Sequence, residues 1–156
     1  MTDNIPLSLP VNIIVGSMLG ATEYVAESLQ QLLKEHKLES QIHFEPEFNN
    51  IESKGTWIIC SSTHGAGELP DNIQGFAKHL DKAHLTSVKF LVIALGDTSY
   101  DTFCQAGNTL YQLMINTQAT PLSEIFCIDV LEHTLPEDTA SEWLDNLLKG
   151  HCVAQC

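Results

Sequence analysis

Short apolar runs rich in β-branched residues, separated by segments with helical periodicity, constrain the fold of this chain most strongly. The runs Val11–Gly16 (VNIIVG), Thr56–Ser62 (TWIICSS) and Val88–Leu95 (VKFLVIAL) have the composition of strands buried on both faces. Weaker runs at Gln41–Phe44 and Ile125–Val130 bring the number of predicted strands to five. Strands that alternate with helices in this way predict a doubly wound parallel sheet.

Helical patterns fill the segments between these runs. From Thr22 to Lys37, the residues Val25, Leu29, Leu32 and Leu33 recur at helical spacing and form one apolar stripe. Further helices are predicted over Asp71–Lys82, over Phe103–Asn116 and from Pro136 onward. Because crossovers between parallel strands are right-handed, five such strands favour the order 2-1-3-4-5 with helices on both faces, which is a three-layer α/β/α architecture.

The 156 residues are predicted to form one domain over 1–156, with about 1–10 and 150–156 as tails. No apolar run approaches the roughly 20 residues of a membrane span. The N-terminal segment MTDNIPLSLP has no basic residue before its apolar stretch, so a secretory signal is not expected. We therefore expect a cytoplasmic protein.

The loop after the first strand, GSMLGATE, runs directly into a helix and predicts an anion site. Backbone N–H groups at a helix start bind phosphate, and Ser17 and Thr22 add hydroxyl donors. The loop has no lysine of the NTPase type, no G-x-G-x-x-G pattern and no acidic pair for Mg²⁺. A terminal monophosphate fits this donor set best. The alternative is an ordinary capped helix, in which Ser or Thr satisfies the first helix amides.

The loops after the third and fourth strands suggest a flat heterocycle. In STHGAGELPDN, Gly65 and Gly67 free the backbone for close contacts, and the side chain of His64 could lie against a ring. In LGDTSYDTFC, Tyr100 stands in a polar loop, where stacking on a ring would account for it. The alternatives are an exposed loop histidine at His64 and, for Phe103, a helix-start residue that faces the core.

The segments GSMLGATE, STHGAGELPDN and ALGDTSYDTFCQAG resemble, in order and spacing, the phosphate loop and the two ring loops of flavodoxins. The resemblance extends to Glu142 and Trp143 and is greater to short-chain flavodoxins of the MioC type and to the FMN domains of diflavin reductases. It implies a flavodoxin-like fold, FMN as the cofactor, the phosphate held by the first loop, and the ring flanked by the other two with Tyr100 stacked on one face. The implied cofactor-binding residues are Ser17, Met18, Leu19, Gly20, Ala21, Thr22, Ser62, Thr63, His64, Gly65, Ala66, Gly67, Gly96, Asp97, Tyr100, Phe103 and Cys104.

Three of these residues depart from the usual flavodoxin pattern. Leu19 and Ala21 stand where Thr or Ser is usual, which bears on how tightly the phosphate is bound. His64 stands where many relatives have an aromatic residue.

The charge is strongly negative and limits the partners. Twenty acids face seven lysines, with no arginine, and nine acids lie between Phe90 and Leu148 without a lysine. Such a field repels nucleic acid and anionic membranes. The resemblance implies an electron donor of the flavodoxin-reductase type and a redox acceptor protein. Acids near the three loops indicate an acidic docking face for these partners, formed by Glu68, Asp71, Asp97 and Asp101. The alternative is a solubilising surface.

The remaining reactive residues suggest no further chemistry. No Ser/His/Asp triad or carboxylate pair is apparent, so no catalytic residue is assigned. The five cysteines are expected to be reduced, with Cys60 and Cys127 in the core. No metal site is assigned to the tail that runs from His151 to Cys156.

The sequence favours an electron carrier over two alternatives. One is a flavin-dependent oxidoreductase that acts directly on NAD(P)H or a quinone, for which the chain shows no further substrate segment. The other is a flavodoxin-fold module that binds proteins without a cofactor, which Leu19 and Ala21 make conceivable.

Overall fold

A computed structural model describes residues 7–17, 21–63, 67–97, 99, 104–132 and 135–150. Within these ranges, the chain forms six strands and four α-helices. The strands are β1 Val11–Gly16, β2 Ser40–His43, β3 Gly55–Ser62, β4 Val88–Gly96, β5 Thr120–Pro121 and β6 Phe126–Asp129. The helices are α1 Ala21–Glu35, α2 Asp71–Leu80, α3 Gln105–Asn116 and α4 Pro136–Leu148, with a short 3₁₀ turn at Phe48–Asn50.

The strands form one parallel sheet in the order β2-β1-β3-β4, and β5 and β6 both pair with β4. The predicted order 2-1-3-4-5 is therefore confirmed, but the fifth position is divided between two strands. β5 pairs with the start of β4, through Thr120 and Pro121, and β6 pairs with its end. Pro121 has no N–H to donate, which a sheet tolerates at its edge.

Two apolar layers cover the sheet, as the three-layer prediction requires. Successive β4 side chains alternate between them: Leu91 and Ile93 pack on the α1 and α4 side, whereas Phe90 and Val92 pack on the α2 and α3 side. Trp143 of α4 closes the first layer by stacking on Phe126, with ring centroids 4.8 Å apart. None of the described helices combines the length and apolarity needed to cross a membrane.

Polar contacts join α1 to α4 across the outside of the first layer. The hydroxyls of Ser28 and Ser141 lie 2.6 Å apart, and His36 Nε2 and Lys149 Nζ each lie 2.8 Å from a carboxylate oxygen of Asp145. The hydrogen bond from Lys149, followed by the one from His36, holds the pKa of Asp145 below its usual value. The contacts therefore stabilise the fold above the pKa of an unfolded Asp and lose this effect as the pH falls through the lower, folded value.

The segment before β1 is anchored to β3. Ser8 N–H donates to Thr56 Oγ1 over 2.8 Å, the Thr56 hydroxyl donates to Ser8 O over 2.9 Å, and Thr56 N–H donates to Pro10 O over 2.9 Å. Leu7 is buried in the first apolar layer. Residues 7–10 therefore belong to the packed structure.

Two helix boundaries differ from the sequence prediction for a backbone reason. α1 ends at Glu35 rather than Lys37, because Lys37 has a φ of +65° and cannot continue the helix. α3 begins at Gln105 rather than Phe103, because Cys104 adopts the left-handed conformation at φ 57°. Side-chain periodicity does not report these single-residue conformations.

The prediction that both Cys60 and Cys127 lie in the core is half wrong. Cys60 is buried in β3, and burial raises its pKa to about 12. Cys127 is exposed, and its strand β6 pairs only with β4 among the described residues, which places it at the edge of the sheet.

The contact between α3 and β4 depends on Gly107. A Cβ at this position would lie 2.3 Å from the Cβ of Ala94, a distance that real side chains do not reach. At Gly75 in α2, by contrast, a Cβ would meet nothing within 4 Å.

We predict that Gly107→Ala lowers the free energy of unfolding by about 1–3 kcal/mol, because overpacking moves α3 away from the sheet. Gly75→Ala is the matched control and should raise it by roughly 0.5–1 kcal/mol, because alanine favours the helix. Urea unfolding of the two variants measures both values. Equal effects of the two substitutions would contradict the close approach of α3 to β4.

Candidate functional site

The loops that the sequence predicted as a site leave one edge of the sheet. Gly16 pairs with Ser61, Ser62 pairs with Leu95, and Gly96 pairs with Asp129, so β1, β3, β4 and β6 end nearly level. Because the strands are parallel, the connections to α1, α2 and α3 begin side by side. Such a crevice at the carboxyl ends of parallel strands is where doubly wound proteins bind ligands.

The structure describes nine of the seventeen predicted site residues. They are Ser17, Ala21, Thr22, Ser62, Thr63, Gly67, Gly96, Asp97 and Cys104. The other eight, and the acidic residue Asp101, lie outside the described residues: Met18, Leu19, Gly20, His64, Gly65, Ala66, Tyr100 and Phe103.

Asn72 fixes the start of the first loop. Its Oδ1 accepts a hydrogen bond from Ser17 N–H over 2.9 Å, while its Nδ2 donates to Val15 O over 2.8 Å and to Phe44 O over 2.9 Å. One amide thus joins the end of β1, the first loop residue and the segment after β2. Asn72 is part of the second loop segment STHGAGELPDN, but nothing in the sequence shows which backbone groups it reaches.

Gly16 allows the same region to pack closely. A Cβ on Gly16 would lie 2.7 Å from Ser61 Oγ and 3.0 Å from a methyl group of Ile73. The backbone at the end of β1 therefore lies close against Ser61 of β3 and Ile73 of α2, which leaves the first loop little freedom in where it begins.

The buried hydroxyl of Thr22 forms no hydrogen bond within the described part of the chain. The residue lies in the first turn of α1 and is 1% exposed, and among the described residues nothing bonds to its Oγ1. Buried hydroxyls are normally paired, so this atom calls for a ligand or another polar group. The first N–H groups of α1, beginning with the exposed Ala21, also have no acceptor within a helix. This donor set is neutral and fits a phosphate group.

The second and third loops meet at the start of α3. Thr63 Oγ1 accepts a hydrogen bond from Ala106 N–H over 3.3 Å. Gly67 has a φ of +96°, and a Cβ there would lie 2.7 Å from Cδ of Gln105. Both ends of the second loop therefore touch the residues where the third loop becomes a helix, and Ser62 supplies the last residue of β3 at the same edge.

The described part of the third loop is held by its own polar groups and by β6. Gly96 O accepts a hydrogen bond from Val130 N–H over 2.9 Å. Asp97 Oδ1 accepts from the backbone N–H and the hydroxyl of Ser99. Cys104 is buried, and its Sγ lies 3.5 Å from Ala94 O, so the thiol rests against the sheet.

The lysines lie at one edge of the sheet, whereas acids occur at both edges. Each of the seven lysines lies near the end of a helix or near the start of a strand. Both positions are at the edge of the sheet where the parallel strands begin, which we call the amino edge. The seven are Lys34, Lys37, Lys54, Lys78, Lys82, Lys89 and Lys149. The carboxyl edge carries the exposed acids Glu68 and Asp71 and the half-buried Asp97. In the described part of the chain, no group of three or more His, Cys, Asp or Glu side chains is arranged to hold a metal ion, and the tail after Gly150 lies outside it.

The fold and the position of the crevice are those of the flavodoxin-like class of doubly wound proteins. A solved structure of a mutant flavodoxin from Pseudomonas aeruginosa superposes with a TM-score of 0.76 at 31% identity, over 90% of this chain and 99% of that one. Flavodoxin 1 from Bacillus cereus, at 22% identity and a TM-score of 0.79, shares the fold.

The sequence of the chain is similar to those of flavodoxins and related flavoproteins. The flavodoxin family model matches residues 13–143. The protein MioC of Escherichia coli O157:H7 is 40% identical over 144 residues, which cover 89% of this chain and 98% of that protein. The sulfite reductase [NADPH] flavoprotein alpha-component of Bacillus subtilis is 32% identical over 92% of this chain, which matches 24% of that longer protein. The chain belongs to the flavodoxin family, as the three loop segments predicted.

We predict that Asn72→Ala lowers the free energy of unfolding by roughly 2–3 kcal/mol, because three hydrogen bonds of about 1 kcal/mol each are lost. It should also accelerate hydrogen exchange at the Ser17 amide. Gln74→Ala is the control on the same helix, since its side chain is exposed and donates to Leu69 O. Unchanged exchange at Ser17 in Asn72→Ala would show that Asn72 does not hold the loop.

Proposed function

We propose that this protein is a short-chain flavodoxin that binds FMN at the carboxyl edge of its sheet and carries electrons from a separate reductase to an acceptor protein. The observation that carries the proposal is the buried hydroxyl of Thr22 at the start of α1, which has no partner among the described residues and lies beside loops that converge on one edge. Family membership supports the cofactor and the carrier role, and so does the match to part of a flavoprotein. A cytoplasmic location is part of the same proposal.

The proposed binding roles follow the three loops. Ser17–Thr22 would hold the phosphate, with Thr22 Oγ1 and the first amides of α1 as donors. Thr63–Gly67 and Gly96–Cys104 would flank the ring, with Tyr100 stacked on one face. Bound FMN supplies the redox chemistry, and the residues of this chain hold it, orient it and shield it from water. Asn72 contributes indirectly, by fixing where the phosphate loop begins.

The position of the lysines supports a docking face at the same edge. With all lysines at the amino edge, the acids at the crevice, among them the exposed Glu68 and Asp71, are not offset by lysines there. A basic partner would be attracted to this edge and would approach with the crevice towards it. We therefore assign the carboxyl edge as the surface for both the reductase and the acceptor.

The cofactor assignment is tested by titrating the apoprotein with FMN and with riboflavin, which lacks the phosphate. Wild-type protein should bind FMN more tightly, and Thr22→Val should weaken FMN binding about tenfold, close to 1.4 kcal/mol, while riboflavin binding stays unchanged. Without FMN, Thr22→Val should be at least as stable as wild type, because it removes a buried hydroxyl that has no partner.

Thr109→Val, on the exposed side of α3, is the matched control and should leave both affinities unchanged. Equal weakening of FMN and riboflavin by Thr22→Val would place the hydroxyl away from the phosphate. Failure of the apoprotein to take up FMN at all would overturn the proposed function.

The docking face is tested by the rate at which an NADPH-dependent flavodoxin reductase reduces the FMN-loaded protein. The rate should fall as salt is raised, because salt screens the attraction between opposite charges. Glu68→Gln at the carboxyl edge should slow reduction at low salt by a factor of about two to five. Glu35→Gln removes the same charge at the end of α1, on the opposite edge, and should have little effect. Rates that are independent of salt would remove the docking face.

A further inference from the structure

Two cysteines that are distant in sequence meet where β6 pairs with β4. Cys104 lies immediately before α3, and its Sγ is 3.5 Å from Ala94 O in β4. Ala94 is paired in register with Cys127 of β6. Because neighbouring strands lie about 4.8 Å apart, this register places Cys127 beside the Cys104 thiol.

The two thiols differ in their access to solvent. Cys127 is exposed, because β6 is at the sheet edge, whereas Cys104 is 1% exposed beneath the start of α3. An accessible thiol with a buried thiol next to it has the arrangement of an attacking and a resolving cysteine. Cys60, in the centre of the sheet, has neither solvent access nor a second thiol next to it among the described residues.

We propose that Cys104 and Cys127 form a reactive dithiol site for low-molecular-weight disulfides, in which Cys127 is modified first and Cys104 then closes an internal disulfide. This site lies beyond the proposed electron-carrier role, and it needs no bound flavin. The disulfide would link Cys104, where the third loop enters α3, to the edge strand β6.

The reaction is a two-step thiol–disulfide exchange. The Cys127 thiolate attacks one sulfur of the small disulfide RSSR, a mixed disulfide forms, and one RS⁻ leaves. Cys104 then gives up its proton, and its sulfur attacks the sulfur of Cys127 and expels a second RS⁻. The two released thiolates take up protons, so the protein loses two electrons as one RSSR becomes two RSH.

The difference in solvent access supports this order. Cys127 is exposed and meets a disulfide from solution first, whereas Cys104 is buried. The neighbouring Cys127 and burial both raise the pKa of Cys104, which makes it the less reactive thiol towards a disulfide in solution. Once Cys127 carries the mixed disulfide, its sulfur lies next to the Cys104 thiol, which completes the exchange.

The test treats the full-length protein with mixtures of oxidised and reduced glutathione and then blocks free thiols with iodoacetamide. The tail cysteines are first replaced, as Cys152→Ser and Cys156→Ser, so that they do not exchange. Intact mass should show the loss of two hydrogens, and peptide mapping should recover one cross-linked pair from Cys104 and Cys127. Iodoacetamide should label reduced Cys127 at least about tenfold faster than Cys60.

Variants separate the two roles. Cys104→Ser should stop the reaction at a stable glutathione adduct on Cys127, and Cys127→Ser should prevent any modification of Cys104. Cys60→Ser is the control and should form the internal disulfide as wild type does. Circular dichroism checks the fold of each variant, with Cys127→Ala as a second substitution at the attacking position.

Three outcomes would overturn the proposal. The first is a glutathione adduct on Cys127 that persists in the parent protein while Cys104 stays free. The second is modification of Cys104 in a variant that lacks Cys127. The third is a protein mass that does not change at any glutathione ratio. Each readout is a mass measured with and without added FMN. If the protein does not bind FMN, the disulfide can still be tested. If the disulfide does not form, the proposed FMN site is unaffected.

Discussion

The parallel register of β1, β3 and β4 is the constraint on which the rest of the structure depends. Continuous backbone pairing, from Val11 opposite Thr56 to Ser62 opposite Leu95, brings the strand ends to one level. The three loops of the site therefore begin side by side whatever their own conformations are. The two apolar layers stabilise this register, because slippage by one residue would turn buried side chains of β3 and β4 to the wrong layer.

Polar groups at that edge have two different physical roles. Asn72 satisfies backbone groups from three segments and so contributes to the stability of the protein itself. Thr22 does the opposite, since a buried hydroxyl that has no partner among the described residues destabilises the protein until something binds it. At the carboxyl edge, where doubly wound proteins bind ligands, such a group fits a binding site in which stability is exchanged for affinity.

Much of the fold could be predicted because it depends on local patterns. The central strands have a β-branched, apolar composition, α1 has a single apolar stripe, and the predicted bounds of β1 and of the start of α2 agree with the structure. Two features that the sequence did not reveal depend on non-local contacts. Cys127 is in an apolar run but is exposed at a sheet edge, and the role of Asn72 depends on backbone groups of β1 and of the segment after β2.

The sequence by itself determined the class of fold, the three candidate loops, the family, and the excess of acids over lysines. These follow from residue type and spacing, which periodicity and motif order express directly. Only the tertiary structure decided that every lysine lies at the edge opposite the crevice, and that Cys104 and Cys127 adjoin the same residue, Ala94. Both depend on the direction and register of paired strands, which join residues far apart in the chain and leave no periodic signal in the sequence.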